Sequence, residues 1–290
     1  MHVVISGAGG NLGTKLSAAL QEASWCTRIT GLDIVAGEDV GKLQRLVVDL
    51  TDPADTRWHG PVAAADAVVH FGATNPAPYS SWEEAVGSID MTMGLAAHAG
   101  RSRPCRYVFA SSNHVMGGYK DGDLPADGKL RMATPPRPGT AFFVPGEGPV
   151  VVPAYGASKL FGERAVVAAA AASEGRLTGV NVRIGWCQAG ANLPHSMHPY
   201  RSQQPQRPEG YSAEAEARDL AWYHHMWLSN GDFVRLMLAA ITAPATDWPA
   251  PAIVVSGVSA NAGMAWDLEE ARRWIGYAPQ DDAARALATG

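Results

Sequence analysis

Short, almost unbroken apolar runs alternate with helix-length segments over residues 1–185, a rhythm that few architectures accept. Val3 to Ser6, Arg28 to Asp33, Leu46 to Asp49, Ala67 to Phe71, Tyr107 to Ser111 and Val180 to Ile184 read as strands. A strand with one wet face alternates apolar and polar residues. These runs do not, so both of their faces must be covered, as in a parallel sheet layered by helices. Leu12 to Ala23, Trp82 to Gly100 and Tyr155 to Ser173 read as helices, the last carrying the breaker-free run Ala165 to Ala171. The expected fold class is α/β, a doubly wound, mostly parallel sheet.

Two stretches break the rhythm. Residues 117–153 are rich in Gly and Pro and read as a long loop ahead of the third helix. Residues 187–230 pass through the Pro-, Gln- and Arg-rich stretch Pro199 to Gly210 and then a helical segment with Trp222, Tyr223 and Trp227. Loops this long in a compact domain are usually functional. The expected division is a sheet domain over 1–186 and a small C-terminal lobe over 187–290, although the strand-like Ile253-Val254-Val255 can rejoin the main sheet. A hydrophobic content of 47% with 18% charged residues fits a globular enzyme of 290 residues and not a disordered chain. A net charge of −5 gives no reason to expect nucleic acid or an anionic membrane as partner. No apolar stretch reaches the roughly 20 residues that span a bilayer. No basic-then-apolar leader precedes Val3, and three widely spaced cysteines, Cys26, Cys105 and Cys187, suit a reduced cytoplasm.

Between the first strand and the first helix lies Gly7-Ala8-Gly9-Gly10-Asn11-Leu12-Gly13. Glycines at positions 7, 10 and 13 permit a tight turn, close approach of backbone to a pyrophosphate, and close packing of helix on strand. Glycine clusters also make plain turns, but this one has a strand before it and a helix after it. Asp33 ends the second strand 20 residues beyond Gly13. A carboxylate there accepts hydrogen bonds from adenosine ribose hydroxyls and repels a 2′-phosphate, and Ile34 and Val35 supply no cation to offset it. NAD is thus expected rather than NADP, with Gly7, Gly10, Asn11, Leu12, Gly13 and Asp33 as its first contacts. Asp49-Leu50 falls where a side chain meets the adenine edge. His70-Phe71-Gly72-Ala73 ends the fourth strand, where small residues let backbone pass the phosphates and ribose, though alone it is just a strand end. Both lie on the carboxyl edge of the sheet, where ligands bind in such folds.

Tyr155 and Lys159 stand four residues apart in Tyr155-Gly156-Ala157-Ser158-Lys159, so they share a helix face. A free tyrosine ionises near pH ~10, and a nearby ammonium favours its phenolate. The same spacing also arises on solvated helix faces. Ser112 follows the fifth strand on the same edge, where a serine can hold a substrate oxygen or simply cap a turn. Glycine loop, Ser112 and the Tyr155/Lys159 pair together resemble the extended branch of the short-chain dehydrogenase/reductase superfamily, a Rossmann fold that also holds sugar-nucleotide epimerases. Ser112-Asn113-His114, the run Tyr155 to Glu163, Arg183-Ile184-Gly185, Trp227 to Phe233 and Ser259-Ala260-Asn261 look like the uronate dehydrogenases within it.

That resemblance implies NAD-dependent oxidation of a sugar hydroxyl, at C1 of an aldose or of an acidic sugar such as a uronate, to a lactone. It implies Tyr155 as base, Ser112 polarising the reacting oxygen, and Lys159 holding the nicotinamide ribose, with Ile184 at the cofactor and Asn113 and His114 at sugar hydroxyls. It also implies a homodimer or higher homo-oligomer, joined through the helix that carries Tyr155 and Lys159. The chain departs from the family's pattern at Trp186 and Asn75, both serine positions in the family and both expected at the substrate. The family's carboxylate-binding arginine has no clear counterpart; Arg218 and Arg201 are the candidates. A nucleotide-sugar epimerase or dehydratase stays open, since about 130 residues follow Lys159. So does a non-catalytic NAD sensor, which would need none of Ser112, Tyr155 and Lys159. His195-x-x-His198 and His224-His225 lack the companion ligands of a zinc site, so no metal is expected. The tryptophans at 222, 227, 248, 266 and 274 read as core or interface, and no Gly-x-Ser-x-Gly elbow is present.

Overall fold

The computed structural model describes residues 1–199 and 207–289. In chain order the strands are β1 (His2–Ser6), β2 (Arg28–Asp33), β3 (Leu43–Val47), β4 (Ala67–His70), β5 (Cys105–Ser112), β6 (Thr140–Val144), β7 (Gly148–Val152), β8 (Leu177–Ile184) and β9 (Ala252–Gly257). The helices are α1 (Asn11–Glu22), α2 (His59–Ala63), α3 (Trp82–His98), α4 (Ala154–Ala172), α5 (Ala213–His225), α6 (Asn230–Thr242), α7 (Glu269–Ile275) and α8 (Ala283–Thr289).

Seven strands form one parallel sheet in the order β3-β2-β1-β4-β5-β8-β9. From β1 the chain steps outward through β2 and β3, then returns to place β4 on the other side of β1. The order therefore reverses between β1 and β4, which opens a crevice at their carboxyl ends. β1, β4 and β5 are buried along their whole lengths. Val3 and Ile5 enter one core with Leu16, Leu20 and Phe233, while Val4 enters the other with Leu95, Tyr107 and Val166. Two-sided burial is why the apolar runs carry no alternation. β3 is the exception: it lies at one edge of the sheet, its Gln44 is exposed, and Gln44 and Arg45 hide its first half from a hydropathy pattern that suggests a strand at Leu46 to Asp49.

The stretch 117–153 is not wholly loop. Thr140 to Val144 and Gly148 to Val152 pair as an antiparallel hairpin, with Phe143 opposite Pro149. Pro is tolerated there because a two-stranded ribbon leaves the outer edge of each strand unpaired. β9 carries Ile253, Val254 and Val255 into the main sheet beside β8. Trp227 and Trp266 are buried, and Trp222 packs on Trp266 with centroids 4.6 Å apart.

Asp232, at the start of α6, is fully buried and ties the C-terminal stretch to the rest. It accepts hydrogen bonds from Ser259 Oγ (2.6 Å), Gln280 N (2.8 Å) and Asp281 N (3.0 Å) and pairs with Arg235 (2.7 Å).

Candidate active site

A cavity of about 1500 Å³ runs along the carboxyl edge of the sheet. Gly7, Gly10, Asn11, Leu12 and Gly13 line one end of it. Gly7 holds a left-handed φ of +70°, and a side chain on it would come within 2.9 Å of the Gly72 nitrogen. A Cβ on Gly13 would lie 2.2 Å from the Gly7 carbonyl oxygen and 2.7 Å from Ala8 Cα, so α1 can approach β1 only with glycine at this position. Gly10 caps α1 without a side-chain bond, and the first turn of the helix holds no acid. The amide groups there face outward as a receptor for phosphate oxygens.

Asp33 lines the cavity, its Oδ2 accepting from Gly9 N at 2.8 Å and its Oδ1 from Val35 N at 3.0 Å. Asp49 and Leu50 line it next. The Asp49 carboxyl is held below its usual range by bonds from the Thr51 hydroxyl and amide. Phe71, Gly72 and Ala73 complete the crevice between β1 and β4. These features fit a dinucleotide: uncapped amides for the pyrophosphate, an acid for ribose hydroxyls, and a backbone cradle that a Cβ on Gly7 would fill. The sequence reading placed no cation at the adenosine end, but the fold supplies one. Arg45 reaches the same wall from β3, a distance in sequence that no motif bridges.

A hydrogen-bonded chain under Gly72 fixes that turn. Thr92 Oγ1 donates to the Ser88 carbonyl (2.8 Å), so it accepts from His70 Nε2 (3.0 Å). His70 Nδ1 then accepts from Ser6 Oγ (2.6 Å), which accepts from Gly72 N (3.2 Å). Burial, aided by the Lys159 charge, lowers the His70 pKa to about 3, and the neutral ring this chain requires is maintained. The sequence reading saw His70 only as a strand end.

At the other end of the cavity, Ser112, His114, Tyr155, Lys159, Ile184 and Trp186 come together. Burial raises the Tyr155 pKa above 10.0, and the neighbouring Ser112 side chain opposes that rise. The lowering expected from Lys159 is not seen: burial and the Ser112 side chain set the shift. Lys159 is itself buried, which lowers its pKa to about 8. Its Nζ lies 5.1 Å from the Phe109 ring centroid and 5.7 Å from that of Tyr155 and forms no ion pair among the described residues. His114 is held neutral, burial lowering its pKa to about 4, and its Nδ1 bonds to Thr140 Oγ1 at 2.7 Å.

One helical turn beyond Lys159, Glu163 is buried on the same face of α4. It takes a two-pronged bond from Arg183, with Nε at 2.8 Å and Nη2 at 2.9 Å, and a third from Ser111 Oγ at 2.6 Å. This cluster clamps α4 onto β5 and β8 directly beneath the Ser112, Tyr155 and Lys159 side chains.

Three expected substrate contacts are placed elsewhere. The Asn75 amide is spent within its own turn, donating to Glu84 Oε1 and accepting from Ala77 N, both at 3.0 Å, and does not line the cavity. Arg218 is exposed on α5 and pairs with Asp219 at 3.0 Å, away from the cavity wall. Asn113 lies fully buried below the wall, with neither amide atom hydrogen-bonded among the described residues. Arg201 falls outside the described residues. Trp186 does reach the cavity: its ring packs edge-on against Tyr223 (4.9 Å), and its backbone is pinned by Met226 O (2.8 Å) and Leu228 N (3.0 Å). Asn11 Nδ2 donates to the Cys187 carbonyl at 2.9 Å, joining the cofactor and substrate ends. His198 lines the cavity, and His224 Nε2 bonds to the Pro194 carbonyl at 3.3 Å.

A glycine-turn crevice with Ser, Tyr and Lys converging at its far end defines a dinucleotide-dependent enzyme of the short-chain dehydrogenase/reductase type. Residues 3–186 match the NAD dependent epimerase/dehydratase family, and the chain belongs to that family. It is similar to the L-arabinose 1-dehydrogenase (NAD(P)(+)) of Haloferax volcanii, with 30% identity over 299 residues covering 99% of each chain. It is also similar to the uronate dehydrogenase of Pseudomonas syringae pv. tomato, at 28% identity covering 97% of this chain and 82% of that one. Its fold is that of the glucuronic acid dehydrogenase from Chromohalobacter salexigens, with a TM-score of 0.69 at 23% identity over 99% of this chain and 87% of that one.

Proposed function

We propose that the chain is an NAD-dependent dehydrogenase that oxidises the C1 hydroxyl of a cyclic sugar, an aldose or an acidic sugar such as a uronate, to the lactone. The observation that carries this reading is the convergence of Ser112, Tyr155 and Lys159 at the end of a groove fitted to a dinucleotide. Relatives that match along nearly the whole chain are named L-arabinose 1-dehydrogenase, NAD-dependent glucose-6-phosphate dehydrogenase and uronate dehydrogenase, which supports a sugar as substrate.

Gly7, Gly10 and Gly13 with the α1 amides hold the pyrophosphate, Asp33 the adenosine ribose, and Lys159 the nicotinamide ribose. When bound, NAD accepts the hydride that leaves C1. Tyr155 as phenolate takes the proton from O1, and Ser112 holds that oxygen by a hydrogen bond. Lys159, buried and with no carboxylate paired to it among the described residues, is held 5.7 Å from the Tyr155 ring centroid, where its charge would favour the phenolate once NAD and sugar fill the groove. His114 is neutral and anchored through Nδ1, so it offers the sugar a fixed ring. Trp186 presents an apolar face where the family's pattern has a serine.

The chain works as a homodimer in a reduced cytoplasm. Trp82, Val86 and Met93 on α3 and Phe161 on the adjoining α4 are exposed apolar side chains, which supports pairing through these helices. No helix among the described residues is long and apolar enough to cross a membrane.

The test is NADH absorbance with purified protein against neutral aldoses, uronates, sugar phosphates and sulfonated sugars, followed by identification of the lactone. Silence across the panel with NAD demonstrably bound would sink the reading. Interconversion of nucleotide sugars without net NADH would replace it by the epimerase reading.

A further inference from the structure

We infer that Arg45 makes the adenosine end of the groove a receptor for a 2′-phosphate, so that the protein accepts NADP alongside its preferred NAD. This rests on the dinucleotide reading above and extends it to a ligand that Asp33 alone would exclude.

Arg45 is an edge-strand residue, placed by register beside Gly31 of β2. Its stem crosses toward the loop that follows Asp33. A Cβ on Gly37 would lie 2.7 Å from both Cδ and Nε of Arg45, so the absence of a side chain at 37 is what lets the guanidinium settle there. Nε donates to the Glu38 carbonyl at 3.3 Å, which fixes the plane of the group. The two terminal nitrogens carry no hydrogen bond among the described residues, and no carboxylate lies within ion-pair distance of them. Asp39, which precedes the strand, is occupied instead by the Arg45 backbone amide at 2.7 Å. A guanidinium left unpaired by its own loop shares the cavity wall with Asp33, Ile34, Val35 and Ala36, where a bound ligand can reach it.

The chemistry at this point favours phosphate. The wall next to Asp33 is where the substituents of an adenosine ribose lie, and the planar fork of arginine matches phosphate oxygens in two-pronged fashion. Asp33 opposes such a ligand by charge. Its two oxygens are already engaged by the Gly9 and Val35 amides, which spread that charge and hold the carboxylate back. Opposed charges on one wall grade the preference instead of making it absolute: Asp33 sets NAD first, and Arg45 keeps a 2′-phosphorylated ligand admissible.

The test uses the full chain and two cofactor fragments, 5′-ADP and 2′,5′-ADP, titrated by calorimetry, with a thermal melt confirming that each variant is folded. Wild type binds both. In Arg45→Ala and Arg45→Gln the affinity for 2′,5′-ADP relative to 5′-ADP falls by about tenfold or more, and in Asp33→Asn the same ratio rises. In the wild type, kcat/KM with NADP is measurable, and it drops with the ratio in the Arg45 variants. The inference is overturned if the ratio does not move in either Arg45 variant, as it would not if the guanidinium stacked on adenine and served both fragments alike. It is equally overturned if wild type binds 5′-ADP and rejects 2′,5′-ADP. Failure to bind either fragment would be a different result, refuting the dinucleotide reading itself.

Discussion

Replacing Glu163 with alanine removes the one carboxylate that pairs with Arg183 among the described residues and takes from Ser111 its acceptor. Arg183 is 5% exposed and Glu163 1%, so water cannot take over for the lost partner. Breaking a buried pair from one side costs roughly 3–5 kcal/mol, because the remaining charge is stranded. Set against a total stability of about 5–15 kcal/mol, that is a large share. Replacing both residues by methionine strands no charge and is expected to recover most of the loss. Glu163 is also two turns from Tyr155 on one face of α4, so its loss should move the base relative to Ser112. A misplacement of about 1 Å can cost a hundredfold in rate. The assay is denaturant unfolding of wild type, Glu163→Ala, Arg183→Met and the double variant Glu163→Met/Arg183→Met, with kcat and KM for each. A loss below about 1 kcal/mol in Glu163→Ala would refute the reasoning, as would a double variant no more stable than either single one.

Tyr155→Phe keeps the ring and removes the base. Oxidation should fall by roughly 10²–10⁴ while NAD still binds, as read by steady-state kinetics and fluorescence titration. Gly13→Ala places a Cβ against backbone atoms that cannot step aside; thermal melts should show a loss of about 1–3 kcal/mol, accompanied by weaker NAD binding. Acid should destabilise the fold before its carboxylates titrate. His70 and His114 are neutral when folded, with pKa values lowered to about 3 and about 4 from 6.5. The unfolded chain therefore binds more protons as pH falls below 6.5, and the stability present above that value is progressively lost. At pH 5 the expected loss is on the order of 2 kcal/mol per histidine, and a flat denaturation midpoint between pH 7 and pH 5 would contradict it.

How much of this was legible in the sequence follows from what each feature depends on. The central strands were readable because two-sided burial leaves continuous apolar runs. Gly7, Gly10, Gly13 and Asp33 were readable because a turn and its flanking elements are local. The hairpin of β6 and β7 was hidden because Gly146, Gly148 and Pro149 look like breakers while serving as its turn and edge. Arg45 and His70 could not be found by spacing, since their roles depend on which strands lie side by side. Asn75, Asn113 and Arg218 had suitable chemistry in suitable segments. What removed them from the cavity wall was competition, in the first from Glu84 and in the last from Asp219.

Trp186 gives the cavity an optical consequence. Its indole stands in the wall shared by the cofactor and substrate ends, and reduced nicotinamide absorbs where indole emits. Occupancy of the site therefore changes the protein's own emission, by energy transfer when the reduced cofactor is present and by contact when a sugar alone covers the ring. The same side chain thereby serves as a built-in gauge of whether the site is filled.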